Sequence, residues 1–447
     1  MTTAADAEVV DGSSRILHHG LLATLDPEEL AATYGTPLYV YDLGLVERQV
    51  RALAAILPAA FDLAYAVKAN PSLAVVSFVG ELGVGADVAS AGELETARRA
   101  GIEAHRIVVT GPGKRDAELR SAVQAGVRAI TVESVGELER LERIAAAAGR
   151  PVPILLRANV PSTAHLERVR IIGDEGAGKF GMDSDDLRRT ARVAAASPHL
   201  EPLGIHAFGA SNLLDADALA DHVVWTMDLA REVAADAGFR LRLIDVGGGL
   251  GIPYRADERP LDLERLGRRL AKIAEGWETD PVCGDVRVLI EPGRFLVGPA
   301  GAYLCRVVDT KTVDGSTVAI LDGGIHHFLR PALVGQAHRV ELLARIAAGD
   351  VTGTATTDRP VTIAGPLCTG LDILATRVAM PAPTPGDLVV VLDAGAYGFT
   401  ESMPLFLSHP TPPEIAVLDG RAALVRLRIE PTEWLDRQLV PWPTATA

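Results

Sequence analysis

Eight short β-rich runs, most of them separated by helical patterns, constrain the fold of this chain more than any other feature. In order they are "DLAYAVK" from Asp62, "VGADVAS" from Val84, "RIVVTG" from Arg106, "AITVES" from Ala129, "PILLRANV" from Pro153, "PLGIHAFG" from Pro202, "LIDVGGG" from Leu243 and "VLIEPGR" from Val288. Between them lie amphipathic stretches such as "GELETARRAG" and the longer "DADALADHVVWTMDLAREVAADAG", which ends on a glycine suited to cap a helix, Gly238. Strands that alternate with helices form a parallel sheet covered by its own crossovers, and eight such units close into a (β/α)8 TIM barrel. The spacing between units varies, so no short solenoid repeat is implied.

From about Ala302 the texture changes. "AYLCRVVDTKTV", "STVAILDGG", "PVTIAGP", "DLVVVLDAGAYG" and "RAALVRLRI" are β-rich runs broken by Gly, Pro and Asp, which reads as a mainly β C-terminal domain. The expected division is an N-terminal segment, 1–35, joining the β domain through a strand in "HGLLATLD"; a barrel, 36–295; and the β domain, 296–447. "RIAAGDVTGTATTDRP" is expected to be a mobile surface loop and "VPWPTATA" a frayed tail.

The 447 residues suit two large domains. A net charge of -15 argues against nucleic acid or an anionic membrane surface as the main partner. Cys283, Cys305 and Cys368 show no metal-ligand spacing, and an odd count fits a reducing compartment. The first twenty residues have no cationic start followed by an apolar core, so no secretory signal is expected, and no apolar run reaches membrane-spanning length. The expectation is a cytoplasmic protein.

In a barrel of this kind the active site gathers at the C-terminal ends of the strands. Those ends carry Lys68, Asp87, Gly111, Glu133, Arg157, His206, Gly247 to Gly249, and Glu291. Lys68 follows an apolar strand; it either snorkels to solvent or, where burial strips its proton, becomes a nucleophile toward an aldehyde. The convergent ring of polar groups favours the nucleophile. Glycines in "DVGGGLGIP" and "EPGRF" let backbone N–H groups approach an anion such as phosphate, although a tight turn alone would also use them. A phosphate-bearing aldehyde that meets a lysine points to pyridoxal 5′-phosphate.

The motifs "YAVKAN", "ADVASAGELE", "GKFGM", "DVGGGLG", "EPGRF", "DGGIHHFLRPAL", "GPLCTGLD" and "DAGAYGF" run from Tyr65 to Phe399. In that order the chain resembles the fold-type III pyridoxal-phosphate decarboxylases, the group of diaminopimelate, ornithine and related decarboxylases, whose barrel is of the alanine-racemase-like type. The resemblance implies that Lys68 holds the cofactor as an aldimine, His206 stacks on its ring, and Glu291 contacts the ring nitrogen. It implies that Gly248, Gly249, Gly293, Arg294 and Tyr397 surround the phosphate, with Asp87 and Arg157 beneath and beside the ring. It also implies a homodimer with shared sites, in which Cys368 of one chain reprotonates substrate held by the other.

Each residue also has a plainer reading. His206 could be a satisfied core histidine, Cys368 a small buried hydrophobe, Tyr397 an interdomain packing residue, and Asp87 the cap of the following helix. His326 and His327 look like a metal pair, but neighbours on a strand face opposite ways, so no metal is assigned.

Two departures from the resembling enzymes bear on substrate. The histidine loop reads "HAFGASN", longer than "HVGSG", and places Ser211 where the phosphate-loop serine is expected. The residue after Cys368 is Thr369, where an acid that grips a distal ammonium usually stands. "FLRPALVG" keeps Arg330, which in the resembling diaminopimelate enzymes helps hold a distal carboxylate, but lacks the tyrosine of "RPALY". Substrate contacts are therefore expected from Arg294, Arg330, Thr369 and Tyr397. The expected reaction is α-decarboxylation of an amino acid, free or carrier-linked, with an acidic or neutral distal group. Diaminopimelate decarboxylase proper, an amino-acid racemase and a non-catalytic cofactor-binding regulator are the alternatives. Glu291 speaks against a racemase, because a protonated ring nitrogen favours full delocalisation of the released electron pair.

Overall fold

The computed structural model describes residues 25–160, 178–278, 280, 285–343 and 359–440. Seventeen strands are present among them. Strand β1 (Leu38–Asp42) precedes eight parallel strands that close into a barrel: β2 (Phe61–Ala66), β3 (Gly85–Val88), β4 (Ile107–Val109), β5 (Ala129–Val132), β6 (Val152–Ala158), β7 (Leu200–Ala207), β8 (Leu243–Asp245) and β9 (Arg287–Ile290). Closure is direct, with Phe61 of β2 opposite Val288 of β9. All eight expected barrel strands are found. The helix Ala216–Ala237 ends on Gly238 in the left-handed conformation, φ 74°, as its sequence suggested.

Ala64, Val108, Ala129, Leu155, Leu203, Leu243 and Leu289, one from each of seven barrel strands, form a separate buried cluster. Side chains in a strand share a face every second residue. Two positions beyond Val108, Leu155, Leu243 and Leu289 stand Thr110, Arg157, Asp245 and Glu291, so strand periodicity carries one apolar layer directly into a polar layer at the C-terminal mouth.

The second domain is a nine-stranded sheet that includes β1. The other strands are β10 (Gly301–Val313), β11 (Ser316–Leu321), β12 (Val340–Leu343), β13 (Arg359–Ala364), β14 (Ile373–Met380), β15 (Leu388–Val391), β16 (Glu414–Leu418) and β17 (Arg421–Arg426). Strand β1 runs antiparallel to β10 and parallel to β16. Residues 38–42 thus belong to the β sheet, although the expected division placed everything from 36 to 295 in the barrel. The reason is non-local: β1 finds its partners only at Gly301–Leu304 and Glu414–Val417. The preceding helix, Pro27–Tyr34, packs Leu30 and Ala31 onto the same sheet beside Leu38, Val40 and Leu304.

The expected strand in "HGLLATLD" falls almost wholly outside the described residues, as do most of the loop before Asp358, Cys283 and the last seven residues of the chain. Among the described residues no helix is long and apolar enough to cross a membrane.

Candidate active site

Strand β2 stops at Ala66, and a single 3-10 turn, Val67–Ala69, lifts Lys68 into the barrel mouth. Its Nζ lies 2.5 Å from Asp87 Oδ2, and its side chain keeps 44% of its surface exposed. Burial would lower the Lys68 pKa, but the carboxylates of Asp87 and Glu291 outweigh it and raise the value above that of a free lysine. The expected loss of the proton through burial is therefore reversed in the protein alone, because two acids from other strands face the amine.

Asp87 is buried and also accepts from Thr110 Oγ1 at 2.6 Å. It does not cap the next helix; Ser90 does, accepting from Glu93 N. Burial and the Glu291 charge push the Asp87 carboxyl up, with Lys68 pulling the other way.

Beyond Lys68 lie His206, Asp245 and Glu291, all buried, with potential ligand atoms within 4.8 Å of one another. His206 Nε2 is 3.6 Å from Glu291 Oε2, an electrostatic contact just past hydrogen-bond reach. Burial would raise Glu291, yet His206 and Lys68 hold it down near 2. Burial and the Glu291 charge push the Asp245 carboxyl well above the usual carboxylate range. Asp245 is absent from the residues singled out by sequence. A signal for it exists, since it ends β8 two residues before the glycine run.

Both ring nitrogens of His206 are buried with no hydrogen-bond partner among the described residues. His206 is thus not a satisfied core histidine. Such orphaned groups are costly unless something polar completes them.

Arg157 sits in a second buried network. Its Nη1 donates to Glu133 Oε1 at 2.7 Å, and its guanidinium lies over the Phe180 ring. Glu133 also accepts from Gly111 N, and Lys114 beneath it pairs with Glu137 at 2.9 Å.

The glycine turns pack tightly. A Cβ on Gly248 would meet the Glu291 carbonyl at 2.2 Å, and Gly249 has φ +93°. Gly293 starts a short helical turn that carries Arg294. The "HAFGASN" loop is zipped to the glycine run by Leu213 N donating to Gly249 O and Gly251 N donating to Leu213 O. This brings Ser211 Oγ to 3.4 Å from Arg294 Nη2. Arg294 is buried, donates to Tyr254 OH at 2.8 Å, and pairs with no carboxylate among the described residues. A buried guanidinium whose partners are neutral suits an anionic group.

Tyr397 lies beneath both Arg294 and Arg330, 4.8 and 4.7 Å from ring centroid to guanidinium carbon. It is therefore a platform for two cations, not merely interdomain packing. Arg330 is turned onto Glu401, whose two oxygens lie 2.9 and 3.0 Å from Nη1. Cys368 and Thr369 are not brought to this cluster by hydrogen bonds. They stand on the loop between β13 and β14, where Cys368 is an exposed free thiol and not a buried hydrophobe. Asp372 organises that loop, accepting from Ile325 N at 2.7 Å and Leu367 N at 2.8 Å. His326 and His327 occupy a turn, not a strand, with ring centroids 3.7 Å apart, so the opposite-faces argument does not describe them.

The sequence profile of the family described as "Pyridoxal-dependent decarboxylase, pyridoxal binding domain" matches residues 43–298. The chain belongs to the pyridoxal-dependent decarboxylases. Among similar members of that family is the L-glutamyl-[BtrI acyl-carrier protein] decarboxylase of Niallia circulans, 34% identical over 90% of this chain and 94% of the relative. The diaminopimelate decarboxylase of Methanothermobacter thermautotrophicus is 35% identical over 95% and 96%. The structure of the M. jannaschii diaminopimelate decarboxylase in complex with L-lysine aligns with a TM-score of 0.84 at 26% identity, covering 93% of this chain and 95% of that one. This decarboxylase uses pyridoxal phosphate and acts on an amino-acid substrate; the racemase and non-catalytic alternatives are not favoured. Its orphaned buried groups, glycine turns and unpaired Arg294 fit that cofactor.

Proposed function

We propose that this protein removes the α-carboxylate of an amino acid whose far end is conjugated, as in a carrier-linked glutamyl group, and that it works as a cytoplasmic homodimer. One observation carries the substrate reading: Thr369 follows Cys368, so the loop offers a hydroxyl where a distal ammonium would need an acid. The similarity to a decarboxylase named for a carrier-linked glutamyl substrate supports it. Free thiols at Cys305 and Cys368 suit a reducing compartment.

Pyridoxal phosphate, when bound, supplies an electron sink for the pair released by C–C cleavage. Lys68 is the amine placed to hold it, with Asp87 beside it to take the proton that the amine must lose. Glu291 is the carboxylate that would keep a proton on the ring nitrogen, and Asp245 would steady it. His206 would offer its flat face to the ring. Gly248, Gly249, Ser211, Gly293, Arg294 and Tyr397 would hold the phosphate, and Arg157, fixed by Glu133, would stand beside the ring. Arg294 and Tyr397 also border the substrate. Thr369 would contact its far end. Cys368, exposed on the β domain, reaches the partner's site and returns a proton to the substrate's Cα.

Carbon dioxide release tests the reading. Carrier-linked L-glutamate should be turned over with the highest kcat/KM in a panel with free lysine, ornithine and meso-diaminopimelate. Preference for a dibasic amino acid would refute it.

A further inference from the structure

Arg330 and Arg294 share one tyrosine platform but differ in what neutralises them. Among the described residues Arg294 has only neutral partners: Tyr254 OH, Gln336 Oε1 at 3.4 Å and Ser211 Oγ. Arg330 carries Glu401, with both carboxylate oxygens on Nη1, and its Nε donates to Gln336 Oε1 at 3.3 Å. Its side chain is 10% exposed.

A guanidinium binds a carboxylate well through two parallel donors, either Nη1 with Nη2 or Nε with Nη2. Here Nη1 and Nε are both engaged, so neither pair is complete. Charge leads to the same result. Glu401 cancels the Arg330 charge, and an incoming carboxylate would meet a like charge in a site of low dielectric. A distal ammonium gains little either, because both Glu401 oxygens are already on the arginine. A group without charge suffers neither penalty.

We propose that Glu401 is a specificity-determining residue: by occupying Arg330 it makes the site accept amino acids whose distal carboxyl is masked as a neutral thioester, ester or amide, and reject the free distal acid. The inference rests on the conjugated-substrate reading above and narrows it from an acidic or neutral far end to a neutral one. Arg330 becomes part of a neutral pair instead of the distal-carboxylate anchor expected from sequence.

The test compares wild-type holoenzyme with Glu401→Gln and Glu401→Ala on L-glutamate and L-glutamate γ-methylamide. Wild type should favour the amide, and freeing Arg330 should shift the ratio of the two kcat/KM values toward the free acid by about tenfold or more. A ratio unchanged in both variants overturns the proposal. Equilibrium binding of glutarate and of its monoamide, glutaramate, to the same holoproteins gives a second readout that needs no turnover. Tighter glutarate binding in Glu401→Gln, with glutaramate affected less, supports the proposal; glutarate binding that does not tighten overturns it. Absence of turnover on every amino acid, with glutarate still tightening, would sink the functional reading and leave the role of Glu401 standing.

Discussion

The backbone N–H of Tyr397 donates to the carbonyl of Ala69 at 2.7 Å, one residue beyond Lys68. The β domain thereby grips the segment that presents the lysine. Asn70 repeats the grip, its Nδ2 donating to Gly395 O at 3.0 Å while its Oδ1 accepts from Ser72 N. Tyr397 does this in the left-handed region, φ 54°, where a residue with a side chain is strained. Asn70→Ala removes a buried donor and strands the Gly395 carbonyl, at a cost of about 1–3 kcal/mol. It should lower the thermal midpoint and loosen Lys68, seen as faster hydrogen exchange at Ala69 to Ser72.

Asp87 and Glu291 hold Lys68 as an ammonium in the protein without cofactor. Asp87→Asn removes the nearer charge, so the Lys68 pKa should fall. The pH profile of lysine-selective modification, read at the Lys68 peptide in the cofactor-free protein, checks this. A profile that does not move toward lower pH counts against the coupling.

Arg294 offers its charge to neutral partners alone among the described residues. Arg294→Ala should weaken pyridoxal-phosphate binding by about 10–100-fold, the loss expected for charge-assisted hydrogen bonds worth about 1.5–3 kcal/mol. Arg294→Lys should fall between, because a point charge replaces a planar group stacked on two tyrosines. Cofactor titration followed by absorbance measures both.

The Cys368 loop hangs on Asp372. Asp372→Asn turns one acceptor toward backbone donors and should destabilise the loop by about 1–3 kcal/mol. The expected signature is a reduced kcat with cofactor affinity unchanged, since Asp372 supports the loop and not the barrel mouth. Equal losses in both would assign it a general folding role.

His338 gives the fold an acid limit. Its Nδ1–H donates to Leu392 O at 3.0 Å and its Nε2 accepts from Gln336 Nε2–H at 2.8 Å, a pairing only the neutral ring can make. Burial, with Arg294 and Arg330 nearby, depresses its pKa to about 4. The unfolded chain takes up this proton near pH 6.5 and the native protein does not until about 4. Its contribution is therefore complete above about pH 6.5 and declines as pH falls toward 4, by roughly 3 kcal/mol in all. His326, also near 4, adds to the same window. His338→Asn should flatten the dependence of the thermal midpoint on pH between 6.5 and 4; an unchanged slope would contradict the assignment.

The barrel was legible in the sequence because strand period and chemistry coincide: each β-rich run ends in a side chain that the barrel brings to one mouth. Lys68, Asp87, Arg157, His206 and Glu291 stand out in the sequence that way. What stayed hidden depends on distant pairing. Glu401 lies 71 residues from Arg330, and no local pattern announces that the two will meet. Strand β1 reads like any barrel strand until its partners at Gly301–Leu304 and Glu414–Val417 are known. The ammonium state of Lys68 is hidden for the same reason: burial can be read from one strand, whereas the two acids that reverse its effect come from two others.

The chain has only five lysines, and Lys114 is buried in an ion pair with Glu137. Borohydride reduction of the holoprotein, followed by peptide mapping, therefore addresses the central claim directly. The expected result is one pyridoxyl label per chain, on the peptide containing Lys68, lost in Lys68→Ala together with carbon dioxide release. A label on Lys114, Lys179, Lys272 or Lys311, or decarboxylation that survives Lys68→Ala, would contradict it.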